Sequence, residues 1–284
     1  KTIFYTALYH TMVNPNTYMD VDGSYRGRDL KIHKDASFTN YTVFSLWDTY
    51  RACHPLMTLI DQKRTLDYIK TFLVQYDQGG LLPVWELAGN ETFCMIGYHS
   101  VPVIVDAYLK GISGFDTDKA MAAMRKSATR EGNIGLKALD KNGYISSDDE
   151  SESVSKTLEY AYDDWCIAQF AKATGKTDEY NYFIKRGQNY KNLFDPSTGF
   201  MRARSNGAWF NPFDPFEVNF NYTEANSWQY SFSAVQDMDG LMSLRGGKAN
   251  LARKLDNLFS VSSKTSGRDQ SDITGLIGQY AHGN

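Results

Sequence analysis

Apolar residues recur every three to four positions in stretch after stretch of this chain, and the stretches come in consecutive pairs. Glycines end most of them, while the connections between pairs are long, aromatic and broken by proline. That pattern predicts roughly ten helices. They are expected over residues 1–13, 45–59 (with Pro55 forcing a kink or a late start), 61–76, 98–109, 116–130, 153–174, 178–193, 224–235, 248–259 and 269–281. Strand signal is weak, limited to the Asp22-Gly23 hairpin dipeptide and a short run at 200–204. No fixed-period repeat is present, so a solenoid is not expected. An all-α fold follows, either a toroid of alternating inner and outer helices or a plain bundle.

Long structureless loops inside a compact domain usually carry function. The one at 205–222 ends at Glu224-Ala225-Asn226-Ser227-Trp228-Gln229-Tyr230. With a helix starting near Thr223, Glu224 would lie in a first turn, where free N–H groups favour its charge. The surrounding aromatic residues would desolvate it and raise its pKa, as a general acid requires. The structural alternative is an ordinary acidic first turn beside a Thr223 cap. Trp47, Asp48 and Arg51 lie within one turn of each other; they suit a sugar subsite, or equally an N-cap Asp beside a core Trp. Asp163-Asp164, in mid-helix, read as a buried polar network more than as a catalytic pair, because adjacent helical side chains diverge by about 100°. His99 and His282 are each candidates for a ligand, a base or a satisfied core histidine.

Other classes are disfavoured. A net charge of -3 implies no polyanionic partner. The three cysteines, Cys53, Cys94 and Cys166, form no metal or redox pattern. No HExxH, phosphate loop, dinucleotide fingerprint or GxSxG elbow occurs. No apolar run of about 18 residues is present, and no signal peptide. The acidic 140–152 loop lacks the spaced ligands of a calcium hand and reads as a solvated face. Aromatics are 14% of the chain, with 19 Tyr and 16 Phe, which suits either sugar-stacking platforms or a large core. Asn40-Tyr41-Thr42, Asn90-Glu91-Thr92 and Asn221-Tyr222-Thr223 fit the glycosylation sequon. The chain opens Lys1-Thr2-Ile3 without Met, as expected of a piece of a longer protein.

Several motifs, in order, carry a resemblance. They are Ala7-Leu8-Tyr9-His10, Asp20-Val21-Asp22-Gly23, Tyr25-Arg26-Gly27, Ser45-Leu46-Trp47-Asp48-Thr49-Tyr50-Arg51, Gly97-Tyr98-His99, Glu159-Tyr160-Ala161-Tyr162-Asp163-Asp164-Trp165, Glu224 to Tyr230, and His282-Gly283-Asn284. Jointly they resemble the catalytic domain of glycoside hydrolase family 92, the exo-acting α-mannosidases, across residues 1–284. The resemblance implies an (α/α)6 toroid behind an N-terminal β-sandwich. It implies secreted, periplasmic or cell-surface placement and calcium-dependent, inverting hydrolysis of terminal α-mannose, often α-1,2-linked, as in N-glycan processing. Glu224 matches the general acid. Trp47 and Asp48 match residues that hold the mannose ring, and His99, Trp228 and Gln229 are taken as substrate-binding. The family's Gly-Asn-Asp-Asp motif, which carries the general base, is absent, as is its Glu-Pro-Ser-His-His run after His-Gly-Asn. The base and the calcium ligands are therefore expected outside these residues. The alternatives are a non-catalytic sugar-binding module and a different six-hairpin glycosidase.

Overall fold

The computed structural model describes residues 1–132 and 134–281, so His282, Gly283 and Asn284 lie outside the described residues. Contacts divide the chain into two compact units. The first comprises Lys1–Ala128 and Cys166–Asn181, the second Thr129–Trp165 and Tyr182–Asn284.

In the first unit the helix Gln62–Gly79 starts where the Asp61 carboxylate accepts the Arg64 N–H at 3.0 Å. It stops at Gly80, whose φ of 77° suits a residue without a Cβ. Its buried face presents Tyr68 and Phe72 edge-on to Phe44, at 5.6 and 4.8 Å between ring centroids. The helix expected over 45–59 divides into Leu46–Thr49 and Cys53–Ile60. Pro55 thus lands in the first turn of the second piece, where its missing N–H has no intrahelical partner to lose. Ser100–Leu109 follows, and then Thr117–Ala128, behind the Asp116 carboxylate that accepts the N–H groups of Asp118 and Lys119 at 2.9 Å. The first helix, Thr2–His10, buries none of its residues.

Three small sheets complete this unit. Asn16–Thr17 pairs with Tyr41–Thr42, Ser24–Arg26 with Ile32–Lys34, and Trp85–Leu87 lies between Phe44–Ser45 and Asn90–Glu91. Asp22-Gly23 precedes the Ser24–Arg26 hairpin rather than turning it. On the central strand Glu86 is completely buried. Its carboxylate accepts the Thr42 hydroxyl at 3.0 Å and the N–H groups of Gly89 and Val43 at 2.6 and 3.2 Å. Burial outweighs these donors and pushes its pKa up to about 7. A raised carboxyl pKa means the folded state keeps a proton that the unfolded chain releases near its ordinary value of 4.5. The contribution of Glu86 to stability should therefore be fully present below about pH 4.5 and be lost as pH rises through about 7, by on the order of 2–3 kcal/mol. Glu86→Gln should flatten that slope in melting curves taken from pH 5 to 8. An unchanged slope would assign it to other groups.

In the second unit the described α-helices are Leu136–Asn142, the first part of Ser153–Ala173, the end of Thr177–Arg186, Ser227–Tyr230, Met238–Leu244 and Lys248–Ser260, with 3-10 turns at Asn189–Leu193 and Val235–Asp237. Phe194–Asp195 pairs with Phe200–Met201, Arg204–Ser205 with Ala208–Trp209, and Glu217–Val218 runs parallel to Ser266–Gly267. Val154, Leu158, Ala161, Tyr190, Met201 and Tyr230 are among its buried core. Asp164 is fully buried and joins Arg186 at 2.8 Å. Arg186 donates to the Tyr182 hydroxyl at 2.9 Å, and that hydroxyl donates to Asp140 at 2.8 Å. This is the polar network expected of Asp164. Of the loop expected over 140–152, residues 140–142 belong to the helix Leu136–Asn142; in the remainder Asp148 accepts the Ser146 and Ser205 hydroxyls at 2.8 and 2.9 Å, which fixes it in place.

Three expectations need correction. The chain is dominated by helix but not all-α, since the described residues also form the small sheets above. The helix expected over 224–235 reduces to Ser227–Tyr230. The one expected over 269–281 is replaced by turns and a bridge between Ile277 and Tyr280, with Gly275 and Gly278 at φ 64° and 57°, outside the helical region. Of the sequon asparagines, Asn90 is exposed while Asn40 and Asn221 are buried.

Candidate active site

The candidate residues fall into two groups, one in each unit.

In the first unit Trp47 and Asp48 sit on the short helix Leu46–Thr49. Trp47 is buried, and its Nε1–H has no hydrogen-bond partner among the described residues. Asp48 is exposed and accepts the Ser45 hydroxyl, so its carboxylate is oriented by a side chain of its own turn. It does not cap the helix; Ser45 occupies that position. The Arg51 guanidinium lies 5.3 Å from the Trp47 ring centroid and 4.7 Å from that of Tyr50. Tyr50 in turn stacks on His99 at 4.2 Å with an 18° interplanar angle. This sequence thus brings aromatic faces, a cation and an exposed carboxylate together within one stretch. Tyr50 is the member sequence reasoning missed; its only signal was its place beside Trp47 and Arg51.

His99 is buried at the N-cap position of Ser100–Leu109, just after Gly97 at φ 87°. A Cβ on Gly97 would collide with the His99 ring. Glycine is needed there for the backbone and for the space. Gly97→Ala should cost roughly 1–3 kcal/mol and unseat the histidine. Thermal melting checks the first effect, and the NMR shifts of the His99 ring, which stacks on Tyr50, check the second. A variant with wild-type melting and wild-type His99 shifts would show that the turn adapts freely.

In the second unit Glu224 is partly buried at φ 46°, in the left-handed region that side-chain-bearing residues rarely occupy. It precedes the helix by three residues, so the first-turn expectation does not hold: the helix starts at Ser227 with Asn226 as its cap. The turn is fixed from both directions. Before it, the Thr223 N–H donates to Ser155 Oγ at 2.8 Å, and the Tyr222 hydroxyl to the Met201 carbonyl at 2.9 Å. After it, Asn226 and Gln229 form a reciprocal capping box: Asn226 Oδ1 accepts the Gln229 N–H, and Gln229 Oε1 accepts the Asn226 N–H at 2.8 Å. Gln229 Nε2 is buried with no partner among the described residues.

Trp228 is 6% exposed, edge-on to Phe200 at 4.8 Å, with Phe216 at 5.9 Å. The Lys254 ammonium stands 3.2 Å from the Phe200 centroid and 4.1 Å from that of Trp228. Burial, helped by Arg245, pushes Lys254 down to about 8. Lys254 was not singled out from the sequence. Its signal was a lysine at the i+3 position between the buried Leu251 and Leu258 of the helix Lys248–Ser260.

No group of three or more His, Cys, Asp or Glu among the described residues could hold a metal ion. No helix of the described residues is long and apolar enough to cross a membrane.

Over residues 1–284 the chain matches the family model described as the glycosyl hydrolase family 92 catalytic domain. A family GH92 α-mannosidase from Bacteroides thetaiotaomicron, solved in complex with mannoimidazole, is 44% identical with a TM-score of 0.94, covering 99% of this chain and 38% of that one. A family GH92 inverting mannosidase from Bacteroides thetaiotaomicron VPI-5482 is 34% identical with a TM-score of 0.83, covering 99% of this chain and 40% of that one. An uncharacterized secreted glycosidase from Arthroderma benhamiae is 26% identical over 98% of this chain and 37% of its own length. The chain thus spans well under half the length of these relatives.

Proposed function

The chain belongs to glycosyl hydrolase family 92, and on that premise we propose that its parent protein removes terminal α-linked mannose, with α-1,2 linkage preferred, from glycans by an inverting mechanism. The observation that carries the proposal is Glu224, a carboxyl held in a strained, doubly braced turn; we assign it by resemblance the part of the family's general acid. Strain of this kind persists only where the surroundings over-determine it, and it clusters at functional sites.

In this mechanism the Glu224 carboxyl gives its proton to the leaving glycosidic oxygen as the bond to the anomeric carbon breaks. Water attacks from the opposite face of the ring, and a second carboxylate takes its proton. In inverting enzymes the two carboxyls stand about 6.5–9.5 Å apart to leave room for that water. The second carboxylate is assigned outside residues 1–284, because the motif that carries it in the family is absent from them. Trp47 and Asp48 are assigned to hold the mannose ring by stacking and by accepting hydroxyl protons. His99, Trp228 and Gln229 are assigned to line the sugar site, the Gln229 amide supplying a buried donor.

The (α/α)6 toroid, the N-terminal β-sandwich, calcium dependence and export enter from the family, with the secreted relative as added support for export.

The test is mannose release from α-1,2-linked mannobiose by the full-length protein, followed by proton NMR of the first-formed anomer, with and without chelator. Inversion predicts β-mannose first, with release lost on chelation and restored by calcium. α-Mannose appearing first would overturn the mechanism. Mannose binding without release by folded protein would favour a sugar-binding module.

A further inference from the structure

Asn226 and Gln279 are both completely buried and form an amide pair within the second unit. Asn226 Nδ2 donates to Gln279 Oε1 at 2.7 Å. Gln279 Nε2 donates to the carbonyls of Ser262 and Lys264, at 2.7 and 3.1 Å. Both amide protons of Gln279 are thus committed, so its Oε1 has to face Asn226. Asn226 is then fixed as well: Nδ2 towards Gln279, Oδ1 towards the Gln229 N–H. Neither amide can be turned over without losing buried hydrogen bonds. The Gln279 backbone is also seated, its N–H donating to the Leu258 carbonyl at 2.7 Å. Gly278 beside it has no room for a Cβ, which would meet the Leu258 carbonyl and the Phe259 backbone.

The chain reaches Asn226 two residues after the Glu224 turn. We propose that the buried Asn226–Gln279 amide pair is a positioning device for Glu224, setting the place of the acid from the sequence-distant 262–279 segment as well as from its own turn. A pair of apolar side chains would fill the same space and stabilise the region at least as well, since buried polar groups gain little net energy. What the amides add is direction: each hydrogen bond accepts one register and one orientation. A residue at φ 46° benefits from that, because its backbone would otherwise relax to a commoner conformation.

The proposal rests on Glu224 as the general acid, and the test separates the two. In the full-length protein, Gln279→Glu is nearly isosteric but sets an oxygen against the Ser262 and Lys264 carbonyls. Asn226→Ser keeps a capping hydroxyl yet cannot reach Gln279. Each is assayed beside Glu224→Gln on two substrates, α-1,2-mannobiose and an aryl α-mannoside whose phenol is acidic enough to leave unprotonated. A displaced acid should lower kcat on mannobiose by about 10–100-fold and on the aryl mannoside by less than about threefold, the selectivity that loss of proton donation produces. A merely structural pair would lower both rates in the same ratio through a smaller folded fraction. Equal losses, or failure of both variants to fold, would overturn the positioning role. If Glu224→Gln itself showed no leaving-group selectivity, the acid assignment would fail instead, whatever the other two variants do.

Discussion

Replacing Glu224 by Gln is expected to lower mannose release from α-1,2-mannobiose by roughly 10²–10⁴-fold. The amide has nearly the shape of the carboxyl, so the turn at φ 46° and its braces from Ser155 and the Asn226–Gln229 capping box should survive. What is lost is the proton for a sugar leaving group. The size of the effect should therefore shrink as the leaving group becomes a better anion. Melting temperature should stay within a degree or two of wild type, because a partly buried acceptor is replaced by another polar group of equal volume. Unchanged turnover on the disaccharide would remove Glu224 from the role, and a large fall in melting temperature would reassign it to the fold.

Asp164→Asn should be the most damaging substitution for stability, at about 3–5 kcal/mol. Asp164 is 0% exposed and Arg186 6%. Their contact at 2.8 Å places a carboxylate and a guanidinium in a region with little water. Asparagine keeps a side-chain oxygen but not its charge, so the buried guanidinium loses its ion pair and keeps other contacts, among them the Tyr182 hydroxyl at 2.9 Å and the more exposed Asp140 at 3.5 Å. Replacing both residues by apolar ones should recover much of the loss, since the cost lies in burying a guanidinium without this carboxylate more than in the missing pair. Chemical denaturation of the single and double variants measures this. A single variant within about 1 kcal/mol of wild type would mean that the remaining contacts of Arg186 suffice to carry its charge.

Helices that are periodic and capped were readable from the residues alone. Gln62–Gly79 has its acidic cap, its apolar stripe and its terminal glycine in the sequence, and the structure shifts its ends only slightly. Elements whose ends are decided by distant partners were not. The segment after Thr223 has helical composition, yet a serine far back in the chain binds the Thr223 N–H and holds Glu224 out of the helix. Residues 269–281 are periodic enough to predict a helix, but Gly275 and Gly278 take positive φ, and Gln279 is claimed by Asn226 across 53 positions. The paired strands, mostly two residues long, are too short for alternation to register. In the candidate site, Glu224, Trp47 and Asp48 stood out through ordered motifs, whereas composition left each open to a structural explanation. Tyr50, Lys254 and Gln279 act through neighbours distant in sequence, and the local signals at Tyr50 and Lys254 do not reveal which neighbours those are. Glu86 sits between Trp85 and Leu87 in a stretch that reads as a loop until its sheet is known.

The two compact units are interleaved along the chain: three crossings separate them, at 128/129, 165/166 and 181/182, and the last two fall inside the helices Ser153–Ala173 and Thr177–Arg186. Neither unit can be excised as one continuous piece. During synthesis the first unit must wait for Asn181 after Ala128 has already emerged. At ordinary translation speeds that is a delay of roughly 3–10 s. For that interval its apolar helix Ser100–Leu109 lacks the segment that carries Phe170, whose ring meets Tyr108 at 4.8 Å once the unit is complete. A nascent chain paused between residues 128 and 181 would be a natural client for chaperones that hold exposed hydrophobic surface.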